Sequence, residues 1–175
     1  LPEAQQAKYQ RMLDDLELPA SARVLEIGCG WGGFAAVAAA AGHHVTGISL
    51  SDEQTAWARA RLDAAGMADR ADLRIQDYRN ITGTYDGIAS IEMFEAVGER
   101  YWPAYFKAVH AALRPGGRAC VQTITIAEDR FQRYRTQSDF IQQYIFPGGM
   151  LASPGRFVDV AAAAGLELER VHAFG

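Results

Sequence analysis

The sequence predicts an α/β fold, a parallel sheet with helices on both faces. Three observations carry this. Short apolar runs alternate with helix-length segments along the 175 residues. The helix-length segments close at Pro19, Gly42, Gly66, the "RPGG" of 114–117 and Gly165. The first apolar run also leads into a glycine-rich loop, "VLEIGCGWGGFA", and then an Ala-rich helix. Alternation of this kind builds βαβ units, whose crossovers cover both faces of a parallel sheet.

The elements follow in order. Residues 4–17 form a helix, with Tyr9, Met12, Leu13 and Leu16 on one stripe, and Pro19 stops it. Residues 22–27 are a buried strand, followed by the glycine loop and a helix over 33–41 that stops at Gly42. Residues 45–49 are the second strand. Ser51 or Asp52 caps a helix reaching about residue 65. Strands follow at 73–76 and 85–90, a helix at 101–113 and a strand at 118–126. Ser153 as cap and Pro154 at the first helical position start a helix to residue 164. The last strand is 166–172. Residues 128–151 break the rhythm as a helical insertion before that strand.

Composition narrows the function. Hydrophobic residues are 49% and charged residues 22%, as in a globular domain with a sizeable core. A net charge of −4 argues against nucleic acid as the partner, because phosphate neutralisation needs a basic surface. The two cysteines, Cys29 and Cys120, have neither zinc spacing nor a disulfide framework, which points to a reducing, cytoplasmic setting. The four histidines show no metal spacing, so no metal site is expected. The longest apolar run, 34–41, is too short to span a bilayer, and no secretory leader is visible. The first residue is not Met, and the chain reads as a piece of something longer.

A strand, a glycine loop and a helix bring backbone N–H groups to a ligand. The G-x-G-x-x-G spacing of Gly28, Gly30 and Gly33 first suggests a dinucleotide. Two details oppose that. A dinucleotide site wants an acid about 20 residues on, at the end of the second strand, where this chain has Ser49, Leu50 and Ser51. Glu26, two residues before Gly28, would repel a pyrophosphate. It suits a ligand with an ammonium or sulfonium group and no phosphate, such as S-adenosylmethionine; it also suits a carboxylate bonded to nearby backbone N–H groups. After the third strand, Asp77 can accept from an adenine amino group and Tyr78 can form a flat wall. Taken alone, the pair reads equally well as a solvated turn.

Several stretches together resemble one family: "VLEIGCGWGGFA", "VTGISLSDEQ", "QDYR", "SIEMFEAVGERYWPAYF", "LRPGGRACVQTITI" and "SDFIQQYIFPGGMLAS". They resemble class I S-adenosylmethionine-dependent methyltransferases, and more narrowly the cyclopropane-fatty-acyl-phospholipid synthases, which include the mycolic acid cyclopropane synthases. The resemblance covers about residues 5–175. It implies a Rossmann-like sheet of the seven-stranded type, with the cofactor at its carboxyl edge. It implies a single methyltransferase domain over 1–175, truncated at both ends, with 128–151 as a lid-like insertion. A further polar residue or Cys is expected before Leu1, and a Tyr and the final strand after Gly175.

The resemblance also implies the chemistry. Family members transfer a methyl group to the cis double bond of an unsaturated phospholipid acyl chain at the membrane surface. The resulting chain cation closes to a cyclopropane when a base removes a proton from the new methyl. The cation must be shielded from water by apolar or π surfaces. The base is thought to be a bound bicarbonate ion. Gly28 and Gly30 then line the methionine part, and Ser49, Leu50 and Gln54 surround ribose and adenine. Asp77 and Tyr78 contact adenine. Glu95, in "MFEAVGE", matches the family's site glutamate and also reads as a helix-start acid. Glu99 is the nearby alternative and reads as a surface charge. Ile91 and Ile124 match positions near cofactor and ion. Gln122 stands where the family often has His; it can hydrogen-bond an anion but does not titrate near neutrality. Glu92 departs from the commoner Gly, with either a substrate hydroxyl or solvent as its partner.

In the insertion, Phe131, Tyr134, Phe140, Tyr144 and Phe146 share helical spacing, with Arg130, Arg133 and Arg135 among them. That pattern suits a lid over an acyl chain near headgroups and equally an ordinary packed helix with a basic solvent face. The expected location is cytoplasmic, peripheral at the inner membrane face. The other readings are methyl-branched rather than cyclopropane product, a small-molecule methyltransferase, and a non-catalytic cofactor-binding fragment. A nicotinamide dehydrogenase fits least.

Overall fold

A computed structural model describes residues 2–136 and 148–174 of the chain. The chain divides into two compact units, one of Leu1–Met93 with Ala111–Gln122 and one of Phe94–His110 with Thr123–Gly175.

The first unit holds the sheet. Its elements are α1 (Pro2–Asp15), β1 (Arg23–Ile27), α2 (Gly33–Ala40), β2 (His44–Ser49), α3 (Asp52–Ala64), β3 (Ala71–Ile75), β4 (Tyr85–Ile91) and β5 (Leu113–Gln122). The strand order is β3-β2-β1-β4-β5, and every pairing is parallel. Central strands of such a sheet are covered on both sides, so they read as continuous apolar runs. Accordingly Val24, Leu25, Ile27, Ile88 and Ala89 are all buried. Met12 and Leu13 from α1, with Leu16 just after it, share one core with Val24, Ala89, Phe34, Ala38 and Leu73. Gly47 in β2 has no room for a side chain, since an added Cβ would lie 2.5 Å from Leu73 Cδ2 and 3.0 Å from Cys29 Cβ.

Local signals set most boundaries. Ser51 caps α3, its Oγ accepting from the Gln54 N–H at 3.2 Å. α1 ends at Asp15, earlier than Pro19 alone would stop it, because Glu17 turns into the left-handed region with φ 47°. β5 differs from the expected 118–126. Ladder bonding begins at Leu113, opposite Tyr85, and the register shifts before Gly87 meets Arg118. The strand stops at Gln122, four residues early.

The second unit packs around aromatic rings. Its helices are α4 (Trp102–Ala112), whose last turn enters the first unit, α5 (Glu128–Thr136) and α6 (Pro154–Ala163). Phe94 is 1% exposed and touches the rings of Trp102, Tyr105, Phe106 and Phe157 at centroid separations of 5.1–5.4 Å. Ring pairs at such distances add to ordinary burial. Ser153 caps α6 as expected, accepting from the Arg156 N–H. Glu128 at the start of α5 accepts from Ser153 Oγ at 2.7 Å and from the Gly155 N–H at 3.0 Å. Thr125 bridges Ala152.

One further expectation is corrected here. Residues 166–172 do not form a strand. Their apolar side chains, Leu168 and Val171, are exposed. A strand exists only where a neighbour takes its backbone N–H and C=O groups, and none of the described strands pairs with this segment. Within the insertion, Phe131 is buried and stacked on Trp102. Tyr134 is half-buried, whereas Phe140, Tyr144 and Phe146 lie outside the described residues. Among the described residues, no helix is long and apolar enough to cross a membrane.

Candidate functional site

All five strands run the same way, so their carboxyl ends lie along one edge. In an open α/β sheet that edge is where ligands bind. The residues expected around a cofactor gather there: Glu26 in β1 and Gly28 and Gly30 just after it, Ser49 ending β2 and Leu50 after it, Asp77 and Tyr78 after β3, and Ile91 ending β4. Gln122 ends β5 opposite Ile91. The same edge thus carries Gln122 and eight of the residues expected around the cofactor, and the ninth, Gln54, lies in the first turn of α3.

The loop after β1 is pinned to β2, because the Ile48 carbonyl accepts from the Gly28 and Cys29 N–H groups at 2.9 Å each. Gly28 has φ 83°, and an added Cβ would sit 2.8 Å from Met93 Cγ and 2.9 Å from Met93 Cβ. Gly28→Ala therefore combines a disfavoured dihedral with a clash. It is expected to lower stability by roughly 1–3 kcal/mol, read as a fall in the thermal midpoint. A Cβ added at Gly30 would meet nothing within 4 Å.

Glu26 is 3% exposed, and its Oε2 has no hydrogen-bond partner among the described residues. Burial pushes its carboxyl well above the ordinary glutamate range, opposed by the Ala35 backbone N–H. A buried acceptor without a donor is costly. A ligand ammonium supplies both a donor and a compensating charge, so the residue fits the methionine end of S-adenosylmethionine. Burial together with the Glu26 charge pushes the Cys29 thiol up to about 12, which makes it a packing residue rather than a nucleophile.

Further along the edge, Ser49 is buried and its Oγ accepts from the Ser51 N–H at 3.2 Å. Leu50 is 73% exposed and Ile75 is 46% exposed. Ile75 pairs with Ser49 in the ladder, an apolar position at the site edge that the sequence reading passed over as ordinary strand. Asp77 caps the short turn Tyr78–Asn80. Its Oδ1 accepts from Arg79 N and Nε at 2.8 and 2.9 Å, and its Oδ2 from Nη2 at 2.6 Å. The Arg79 side chain holds the carboxyl below the usual aspartate range. Each carboxylate oxygen has two acceptor directions, which keeps Asp77 compatible with an adenine amino group. The half-buried Tyr78 ring has the Arg79 guanidinium 6.0 Å from its centroid.

Glu92 carries two contacts that local pattern does not reveal. Lys8 Nζ donates to its Oε1 at 2.9 Å, and Gln122 Nε2 donates to the same oxygen at 3.3 Å. Lys8 was missed by sequence reasoning because it lies 84 residues away and reads as a solvated helix charge.

Glu95 and Ile124 belong to the second unit. Glu95 is 2% exposed and stands in the first turn of the short 3-10 helix Phe94–Ala96. Its Oε1 accepts from the Ile124 N–H at 2.5 Å, and its carbonyl accepts from the Met150 N–H. Oε2 is buried and has no partner among the described residues. The Ile124 side chain is exposed, and its contact with Glu95 is made by its backbone N–H. Glu99 is engaged elsewhere, accepting from Arg135 Nε at 2.6 Å and lying 3.8 Å from Arg156. An unpartnered acceptor at Glu95 fits a small ligand bearing a proton, such as bicarbonate. Among the described residues no cluster of acidic, His or Cys side chains could hold a metal ion.

A family model described as mycolic acid cyclopropane synthetase matches residues 1–175. The chain is 44% identical over 160 residues to tuberculostearic acid methyltransferase UfaA1 of Mycobacterium tuberculosis, covering 91% of this chain and 38% of that protein. It is 34% identical over 176 residues to cyclopropane-fatty-acyl-phospholipid synthase of Escherichia coli, covering 100% of this chain and 44% of that protein. Among solved structures, mycolic acid cyclopropane synthase CmaA1 complexed with SAH and CTAB superimposes with a TM-score of 0.84 at 27% identity, covering 96% of this chain and 62% of that one. The chain spans less than half the length of these two curated relatives. The sheet order, the residues at its carboxyl edge and a family match from end to end agree: the chain belongs to the mycolic acid cyclopropane synthetase family.

Proposed function

We propose that the full-length protein transfers a methyl(ene) group from S-adenosylmethionine to the cis double bond of an unsaturated phospholipid acyl chain, giving a cyclopropane fatty acid. Residues 1–175 supply its methyltransferase domain. The observation that carries this reading is Glu26, a buried carboxylate with an unpartnered oxygen beside a glycine loop at the sheet's carboxyl edge. Bound S-adenosylmethionine supplies a methyl carbon electrophilic enough for an alkene to attack.

The chain's own residues bind and orient. Glu26 takes the ligand ammonium, and the turn through Gly28 and Gly30 leaves backbone and space for the methionine part. Ser49, Leu50 and Gln54 hold the ribose and flank the adenine. Asp77 accepts from the adenine amino group, Tyr78 walls the ring, and Ile91 adds a backbone contact. Glu95, Gln122 and Ile124 are assigned to the acid–base step. Glu95, with its Oε1 fixed by Ile124, offers Oε2 to share a proton with a bicarbonate ion, which would supply the base. Apolar surface around the acyl chain keeps water from the cationic stage. The acyl chain reaches the site from the membrane surface, with the protein peripheral to the cytoplasmic face.

A methyl-branched product is the second reading, favoured by the 44% identity to a protein named for tuberculostearic acid methylation. The two share the binding and methyl-transfer steps. The ring forms when the chain cation loses a proton, whereas a saturated methyl branch requires a methylene intermediate, left by proton loss, to gain two electrons and two protons from a separate reductant. Calorimetric titration with S-adenosylmethionine and with NAD tests the cofactor assignment. Saturable binding of S-adenosylmethionine alone is expected, and preferential binding of NAD would refute it.

A further inference from the structure

Glu92 occupies a conformation that its residue type avoids. Its φ is 51°, in the left-handed region that glycine enters freely and a glutamate does not. Strain of this kind persists where surrounding contacts hold it. Three contacts do so here. The Glu92 N–H donates to the Gln122 carbonyl at 3.0 Å, Lys8 Nζ donates to Oε1 at 2.9 Å, and Gln122 Nε2 donates to that same Oε1 at 3.3 Å.

The last contact determines what Gln122 presents. A side-chain amide has a donor end and an acceptor end, whereas an ionised carboxylate only accepts. With the donor end turned to Glu92, the carbonyl end faces away. That oxygen, Gln122 Oε1, is buried and has no hydrogen-bond partner among the described residues. A buried acceptor left without a donor signals a missing partner.

We propose that Glu92, braced by Lys8, is a positioning residue that orients the Gln122 amide so that its carbonyl oxygen meets a ligand group bearing an O–H or N–H. This rests on the assignment of Gln122 to the acid–base site. It adds that the position works as an acceptor, so the ligand must arrive protonated on the atom that faces it.

The test uses the full-length protein and three variants. Glu92→Gly removes the carboxylate and suits the backbone dihedral, so the fold is retained. Glu92→Gln keeps an acceptor at the same reach. Gln122→Met identifies the Gln122 side-chain NH2 signal in a proton–nitrogen correlation spectrum by its loss. In Glu92→Gly that signal is expected to move to a free-amide position. The kcat is expected to fall about tenfold, the size of one lost hydrogen bond to a charged group, with the KM for S-adenosylmethionine unchanged. Glu92→Gln should restore most of both. An unshifted Gln122 signal and full kcat in Glu92→Gly, with Gln122→Met impaired, would overturn the positioning role alone. Full kcat in Gln122→Met would overturn the assignment of Gln122 to the site, and the positioning role with it.

Discussion

Glu95→Gln is expected to lower kcat by about 10²–10⁴-fold, the usual loss when an acid–base group is removed. Binding of S-adenosylmethionine and the thermal midpoint should change little. The reason is positional. A glutamine oxygen can keep the hydrogen bond from the Ile124 N–H, and the bond from the Met150 N–H goes to the residue 95 backbone. What changes is the second atom: buried Oε2, an acceptor without a partner among the described residues, becomes an NH2 donor that cannot take up a proton. Single-turnover kinetics with pre-bound cofactor separate this from a binding defect. Full turnover in the variant would remove Glu95 from the mechanism.

Glu26→Gln should act on the cofactor instead. Truncating one partner of a buried charge pair costs enough to weaken binding about a hundredfold, and calorimetry measures this directly. Stability without ligand should move the other way. Burial raises the Glu26 carboxyl above its unfolded value, so the folded state binds more protons than the unfolded state between the two values. Its contribution to stability is then fully present below the ordinary glutamate pKa and is lost as pH rises through the raised one. At neutral pH the side chain therefore destabilises the ligand-free protein, and Glu26→Gln should raise the thermal midpoint there. The gain should shrink as pH falls into the acid range. Cofactor affinity and ligand-free stability thus oppose each other at one residue, as expected where a binding site stores unfavourable burial.

The parts of this molecule that were legible in sequence are those encoded over a few residues. The Ser51 cap, the Ser153–Pro154 start and the glycine loop depend on local backbone chemistry, and all three form as expected. Strand content was less legible because it depends on neighbours. Residues 166–172 have strand-like alternation but no described strand pairs with them, and β5 takes a shifted register against β4. Site chemistry divides in the same way. Glu26 and Glu95 could be placed from motifs, but not their unpartnered oxygens. The Lys8–Glu92 pair joins elements 84 residues apart and has no local signature. The Asp77–Arg79 pair joins residues two apart, a local turn contact that residue types at that spacing allow but do not require.

The proposed activity directs an activated methyl group onto an acyl chain. The direct measurement incubates the full-length protein with methyl-labelled S-adenosylmethionine, vesicles of unsaturated phospholipid and a panel of soluble acceptors. The extracted lipid is then analysed by mass spectrometry and NMR. The expected result is label in the acyl chain at the former double bond, as a cyclopropane ring. A methylene branch at that position, or a methyl branch when a reductant is added, would instead favour the second product reading. Label confined to the soluble acceptors, or cofactor binding with no transfer to lipid, would contradict the account.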